Sequence, residues 1–312
     1  MKTNYAVIAD ISCDLSPEIR TRFGIDGYIR GNMSTPQLED QEGRLDMTDA
    51  ELDAFYVSLK SNKKGYKTSP LSADKMAEYY CTFLKEGKDI LALSLIGKLS
   101  ATYNLMLKAK DMALEQYPER KIIVVDTTRY SMGVGILTIK AAQLRGAGLS
   151  IEENAARLEE LKKTVHQMGP IDDLFWVASK GRISHAKAVF GSIFGIKPLG
   201  DFGSDGMVEV LGKVSGYSKA YKATVAYIEK TIKNPKDEII FVAHSGRRKQ
   251  AQELAKLIEE KIKIKEVIVT NIHPFSGINA GPGLIVAYYF GTEITDLSFE
   301  KQVMGDILAK KL

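Results

Sequence analysis

Short β-branched runs alternate with longer amphipathic segments along most of this chain, and that alternation restricts the fold more than any other feature. The run Ala6-Val7-Ile8-Ala9-Asp10 reads as a buried strand, and 90–95 and 121–126 read as two more. Between them lie helical patterns at 48–61 (Thr48 as N-cap, Glu51 at the capping-box position), 72–86, 100–117 (stopped by Pro118) and 135–144 (closed by Gly146 and Gly148). Strands that alternate with helices form a parallel sheet covered on both faces. A helix is expected over 151–166, after which the rhythm changes. A strand is expected at 174–178 and a helix at 183–194. Two extended runs, 197–202 and 207–214, flank Gly203-Ser204-Asp205-Gly206 as a hairpin. Strands at 238–243 and 266–270 flank a helix at 249–261, and 284–290 is the last apolar run. The expected fold is therefore α/β with two α/β domains: a parallel sheet in the first, 1–168, and a mixed sheet in the second, 169–312, with segments free to exchange.

The chain has 312 residues, more than one core usually serves, which agrees with two domains. Net charge is +4 with Lys and Glu interspersed, so no concentrated basic stripe marks a nucleic-acid surface. Two cysteines, Cys13 and Cys81, make no disulfide framework. The longest apolar stretch is far below the ~20 residues of a membrane span. No signal peptide is read at the start, so a cytoplasmic protein is expected.

Several motifs carry little chemistry. Gly133 and Gly135 start a dinucleotide-like pattern, but Thr138 stands at the third glycine position. His166, His185, His244 and His273 lack metal-ligand spacing, and no metal or cofactor is expected. Asp10 and Asp14 read as caps of the following helix. Hydroxyls near helix starts remain. Thr68-Ser69-Pro70-Leu71-Ser72 precedes one helix, and Ser100-Ala101-Thr102-Tyr103 opens another. Helix N-termini bind anions, although capping is the commoner use of a single hydroxyl. Asn279-Ala280-Gly281-Pro282-Gly283 permits close backbone approach to a ligand, or a turn.

These segments together resemble the DegV family of fatty-acid-binding proteins, which includes the acyl-carrying subunit of bacterial fatty acid kinase. The resemblance rests on Ala9-Asp10-Ile11-Ser12-Cys13-Asp14-Leu15, Lys67-Thr68-Ser69-Pro70-Leu71-Ser72, Leu99-Ser100-Ala101-Thr102-Tyr103, Val125-Asp126 with Ser131-Met132-Gly133-Val134-Gly135, Lys180-Gly181-Arg182-Ile183, Ile196-Lys197-Pro198 and Gly281-Pro282-Gly283. It implies one long-chain fatty acid, such as palmitate or stearate, held between the domains. Its carboxylate would meet Thr68 and Ser100, with Ser69, Gly97, Arg182, Asn279 and Gly281 alongside, and its tail would fill an apolar tunnel. It also implies a non-catalytic protein, transient membrane contact, and a partner in the form of an ATP-binding kinase subunit. Ile96-Gly97 replaces a Ser-Ser pair, which removes part of the polar head site, and two departures bear on the partner: Asn279 aligns with a histidine, and Val214-Ser215-Gly216 replaces a basic stretch. Two alternatives compete with lipid binding. One is an acyl-ester hydrolase or transferase with Ser100 or Ser245 as nucleophile; the other is an interaction protein with structural lipid.

Overall fold

A computed structural model describes residues 4–62, 64–180 and 195–310. In chain order the elements are β1 (Tyr5–Asp10), α1 (Pro17–Phe23), β2 (Gly27–Ile29), β3 (Gly31–Ser34), β4 (Gln41–Glu42), α2 (Asp49–Ser61), β5 (Lys67–Pro70), α3 (Ala73–Lys85), β6 (Asp89–Ser94), α4 (Thr102–Gln116), β7 (Ile122–Asp126), α5 (Met132–Gly146) and α6 (Ile151–Leu161). They continue with β8 (Val165–Pro170), α7 (Leu174–Ser179), β9 (Ile196–Phe202), β10 (Val208–Ser215), α8 (Gly216–Thr231), β11 (Ile239–His244), α9 (Arg248–Lys261), β12 (Glu266–Asn271), α10 (Pro274–Ala280), β13 (Ile285–Phe290) and α11 (Ser298–Ala309).

The chain divides into two compact units that exchange segments. The first takes Met1–Thr48, Asn62–Lys162 and His273–Ser276; the second takes Asp49–Ser61, Lys163–Ile272 and Gly277–Leu312. The division near Lys162 precedes β8, so residues 168–170, read as the boundary, lie inside a strand.

In the first unit, β2-β1-β6-β7 form a parallel sheet in that order. Every residue of β1 is buried, as expected for a strand covered on both faces. Ala6, Ile8, Ile90 and Ala92 pack against Met76 and Tyr80 of α3 and Met106 and Ala109 of α4. Helices α5 and α6 also pack on this sheet. Chain order reverses between β1 and β6, which makes the carboxyl ends of these two strands a topological switch point. A small antiparallel sheet, β4-β3-β5, completes the unit.

In the second unit a mixed six-stranded sheet runs β10-β9-β8-β13-β11-β12, with only β11 and β12 parallel. The β9–β10 hairpin closes where the Gly-Ser-Asp-Gly sequence places it, with Gly206 at φ +77° and the Gly203 N–H donating to the Met207 carbonyl.

Two expectations are corrected. The helix over 151–166 ends at Leu161; a 3-10 turn, Lys162–Thr164, follows, and His166 belongs to β8. The strand expected at 174–178 is the helix α7, because the Asp173 carboxylate accepts the Trp176 N–H at 2.9 Å and caps it. Helix α8 and the short strands β2 to β5 were not read from sequence. The helix expected at 183–194 lies outside the described residues.

Gly169 shows how closely the second sheet packs. A Cβ there would lie 2.1 Å from the Ile285 carbonyl oxygen, a backbone atom with little freedom to move. Gly169→Ala is therefore expected to destabilise by about 1–3 kcal/mol, read from the urea midpoint; an unchanged midpoint would contradict this packing.

Candidate ligand site at the switch point

Asp10, the last residue of β1, is buried, and its carboxylate joins the two strands of the switch point. One oxygen accepts the Ser12 N–H at 2.7 Å and caps the 3-10 turn Ile11–Cys13; the other accepts the Leu95 N–H at 2.5 Å, just beyond β6. Burial raises this carboxyl above its ordinary value, and the donors oppose the rise. The next amides are also committed. The Ile96 N–H donates to the Arg129 carbonyl at 2.9 Å, and the Gly97 N–H donates to Asp126 Oδ2 at 3.1 Å. Three successive amides of the β6–α4 loop are thus held by two carboxylates and a carbonyl. The Ile96 side chain is buried in the interior. A Cβ on Gly97 would sit 3.1 Å from the Asp126 carboxylate and 3.3 Å from the Tyr103 ring.

That fixed loop leads to Ser100, which is half-buried, while Thr102 is buried beneath it. The Thr102 N–H donates to Ser100 Oγ at 3.2 Å, and the two hydroxyl oxygens are 2.8 Å apart. Ala101 supplies no side-chain cap to α4. Three non-glycine residues at this edge of the sheet have positive φ: Asp14 at 56°, Thr128 at 52° and Ser131 at 54°. Backbone strain of this kind gathers at functional sites. Asp14 is held by the Ser131 hydroxyl at 2.6 Å and the His273 N–H at 2.9 Å. Burial nevertheless pushes its carboxyl up to about 7.

The other expected contacts divide between the two units. Thr68 and Ser69 lie in β5, paired with Met33 and Asn32 of β3, and not at a helix start. Thr68 is half-buried and Ser69 exposed. The capping role falls to Ser72, which accepts the Lys75 N–H. In the second unit Asn279 is half-buried near the end of α10. Gly281 has φ +86°, and a Cβ on it would meet the Trp176 ring at 2.8 Å. Ser245, the alternative nucleophile, is buried, and its Oγ accepts the Leu284 N–H at 2.8 Å. Arg182 lies outside the described residues. Among the described residues no histidine hydrogen-bonds to Ser100, no cluster of His, Cys, Asp or Glu suits a metal, and no helix is long and apolar enough to cross a membrane. Sequence reasoning passed over Thr102 as a partner of Ser100, and passed over Asp126, although Asp at the end of an apolar strand recurs at 10 and 126.

The histidines give a pH signature. Burial, aided by Arg248, pushes His244 down to about 4 from 6.5, and burial with Arg20 does the same to His273. Both stay neutral when folded and bind protons on unfolding below 6.5, so their stabilisation is lost as pH falls toward 4. Asp14, raised from 3.8, acts in the opposite sense over 3.8 to about 7. Asp10 and Glu300, also raised by burial, act in the same sense as Asp14, so the contribution of His244 is read as a difference between variant and wild type. In urea titrations His244→Gln should gain stability relative to the wild type as pH falls from 6.5 to 4; a difference independent of pH would show that His244 is not the buried neutral group described.

A doubly wound parallel unit with a strained, hydroxyl-bearing switch point, joined in sequence to a mixed-sheet unit, defines a two-unit α/β class of fold. The chain belongs to the DegV family, whose model matches residues 4–291. A DegV domain-containing protein of Clostridium perfringens is 33% identical over 254 residues, 81% of this chain and 87% of that one. Among solved structures, a stearic-acid-binding protein from Eubacterium ventriosum superposes with TM-score 0.80 at 22% identity, covering 92% of this chain and 98% of that one. A fatty-acid-binding DegV family protein from Thermus thermophilus gives TM-score 0.79 at 23% identity, covering 93% and 100%.

Proposed function

We propose that this chain binds one long-chain fatty acid, with its carboxylate at the hydroxyls of Thr68 and Ser100 and its tail in apolar surroundings. The observation that carries the reading is the β6–α4 loop. It sits at the switch point, where open α/β sheets bind ligands. Its amides at 95–97 are already engaged, and the Ser100 hydroxyl stands next to them as a side-chain donor. Hydroxyl donors suit a monoanionic carboxylate, whereas a phosphate is commonly cradled by free backbone amides. Solved relatives of the same fold are described as binding fatty acids, which supports the ligand class.

The energetics agree. Each buried methylene contributes about 0.8 kcal/mol, so a palmitoyl tail gives affinity. The ionised head needs donors, because burying it bare costs several kcal/mol. Presentation of the bound carboxylate to an ATP-binding kinase subunit extends the same reading; pull-down with such a subunit and acyl-phosphate formation test it. The binding reading itself is tested by palmitate titration of Thr68→Val and Ser100→Ala, each expected to weaken binding; unchanged affinity in both would remove these residues from the site.

A further inference from the structure

We propose that Thr102 is a positioning residue for Ser100: it directs two donors at the Ser100 oxygen, and so turns the single Ser100 hydrogen toward the ligand. This rests on the carboxylate-binding role proposed for Ser100. A serine hydroxyl has one hydrogen and two lone pairs. The Thr102 N–H, 3.2 Å from Ser100 Oγ, occupies one lone pair. The Thr102 hydroxyl, 2.8 Å away, is placed for the second.

The direction of that hydroxyl bond follows from burial. Thr102 is 4% exposed, and among the described residues Ser100 Oγ is the hydrogen-bond partner of its hydroxyl. If Ser100 donated to Thr102, the Thr102 hydrogen would be left buried without an acceptor, an arrangement that is costly. If Thr102 donates, both its groups are satisfied, and Ser100, half-buried, keeps its hydrogen for an acceptor outside. A chain of donors running Thr102 to Ser100 to carboxylate also polarises each bond in turn. The amides at 95–97 face Asp10, Arg129 and Asp126 and do not replace it. The two hydroxyls are two residues apart at the start of one helix, so the relay is local and does not depend on distant packing.

The test uses palmitate labelled with carbon-13 at the carboxyl, bound to the full-length protein and followed by affinity and by NMR titration of the bound carboxyl. Thr102→Val, close in volume, is expected to weaken palmitate by about three- to tenfold. It should also raise the titration midpoint of the bound carboxyl, because the head loses donor strength. Thr102→Ser should restore both, and Thr102→Ala should repeat the loss without a branched side chain. In a Ser100→Ala background, Thr102→Val should add nothing further. A Thr102→Val protein that matches the wild type, or that loses as much affinity with Ser100 absent as with Ser100 present, overturns the relay and leaves the Ser100 assignment standing. Wild-type affinity and resonance in Ser100→Ala overturn the Ser100 assignment and the relay with it.

Discussion

Replacing Asp201 with Ala should lower the unfolding free energy by about 3 kcal/mol or more, because each buried donor left without its acceptor costs about 1–3 kcal/mol. Asp201 in β9 has no solvent exposure. One of its oxygens accepts the backbone N–H groups of Gln167 at 2.8 Å and Phe202 at 2.7 Å. The other accepts the Tyr227 hydroxyl at 2.9 Å and faces His166 Nδ1 at 2.6 Å. His166 Nε2 lies 2.9 Å from the Thr292 carbonyl, which can only accept, so that nitrogen carries a proton. The imidazole stacks on Tyr289 with centroids 5.2 Å apart, and the Tyr289 hydroxyl meets Thr231 at 2.7 Å. Removing the carboxylate takes the shared acceptor from three buried donors, the Gln167 and Phe202 N–H groups and the Tyr227 hydroxyl, in β8, β9 and α8. Chemical denaturation measures the loss. A change below about 1 kcal/mol, the scale of an ordinary hydrogen bond, would contradict this description of the core.

Combining Thr68→Val with Ser100→Ala should weaken palmitate by about a hundredfold or more. A hydrogen bond to a charged group contributes about 1.5–3 kcal/mol, and each 1.4 kcal/mol is a factor of ten. The tail is untouched by these changes, so binding should be weakened and not abolished. Methyl palmitate supplies the internal control. Its head carries no charge, so the double variant and the wild type should bind it with similar affinity. If the ester loses as much as the acid, the substitutions damage the tail region or the fold, and the proposed roles of the two hydroxyls are wrong.

Much of the architecture was legible because its causes are local. The β-branched runs at 6–10, 121–126 and 238–243 form strands as their composition favours, and the glycines at 203 and 206 mark a hairpin. Residues 174–178 misled because five apolar residues fit a strand or a buried helix equally. A single side chain, Asp173, settled the matter by capping Trp176. Which segments the units exchange, 49–61 and 273–276, is a tertiary fact with no marker in composition.

The site was half legible for the same reason. Ser100 stands out beside a helix start, and a cap or an anion donor was the natural reading. What fixes the loop before it comes from far along the chain: Asp10 is 85 residues from Leu95, and Asp126 is 29 residues from Gly97. Thr68 looked like part of a helix start, yet it pairs in a strand, because Ser72 takes the cap.

Mass spectrometry of the protein purified natively, then denatured and extracted with solvent, tests the central claim most directly, with a delipidated sample re-exposed to a mixture of C14–C18 acids. One fatty acid per chain, retained on purification or taken up from the mixture and lost in the Thr68→Val/Ser100→Ala variant, is the predicted result. A wild-type chain that carries no fatty acid and takes up none would contradict it.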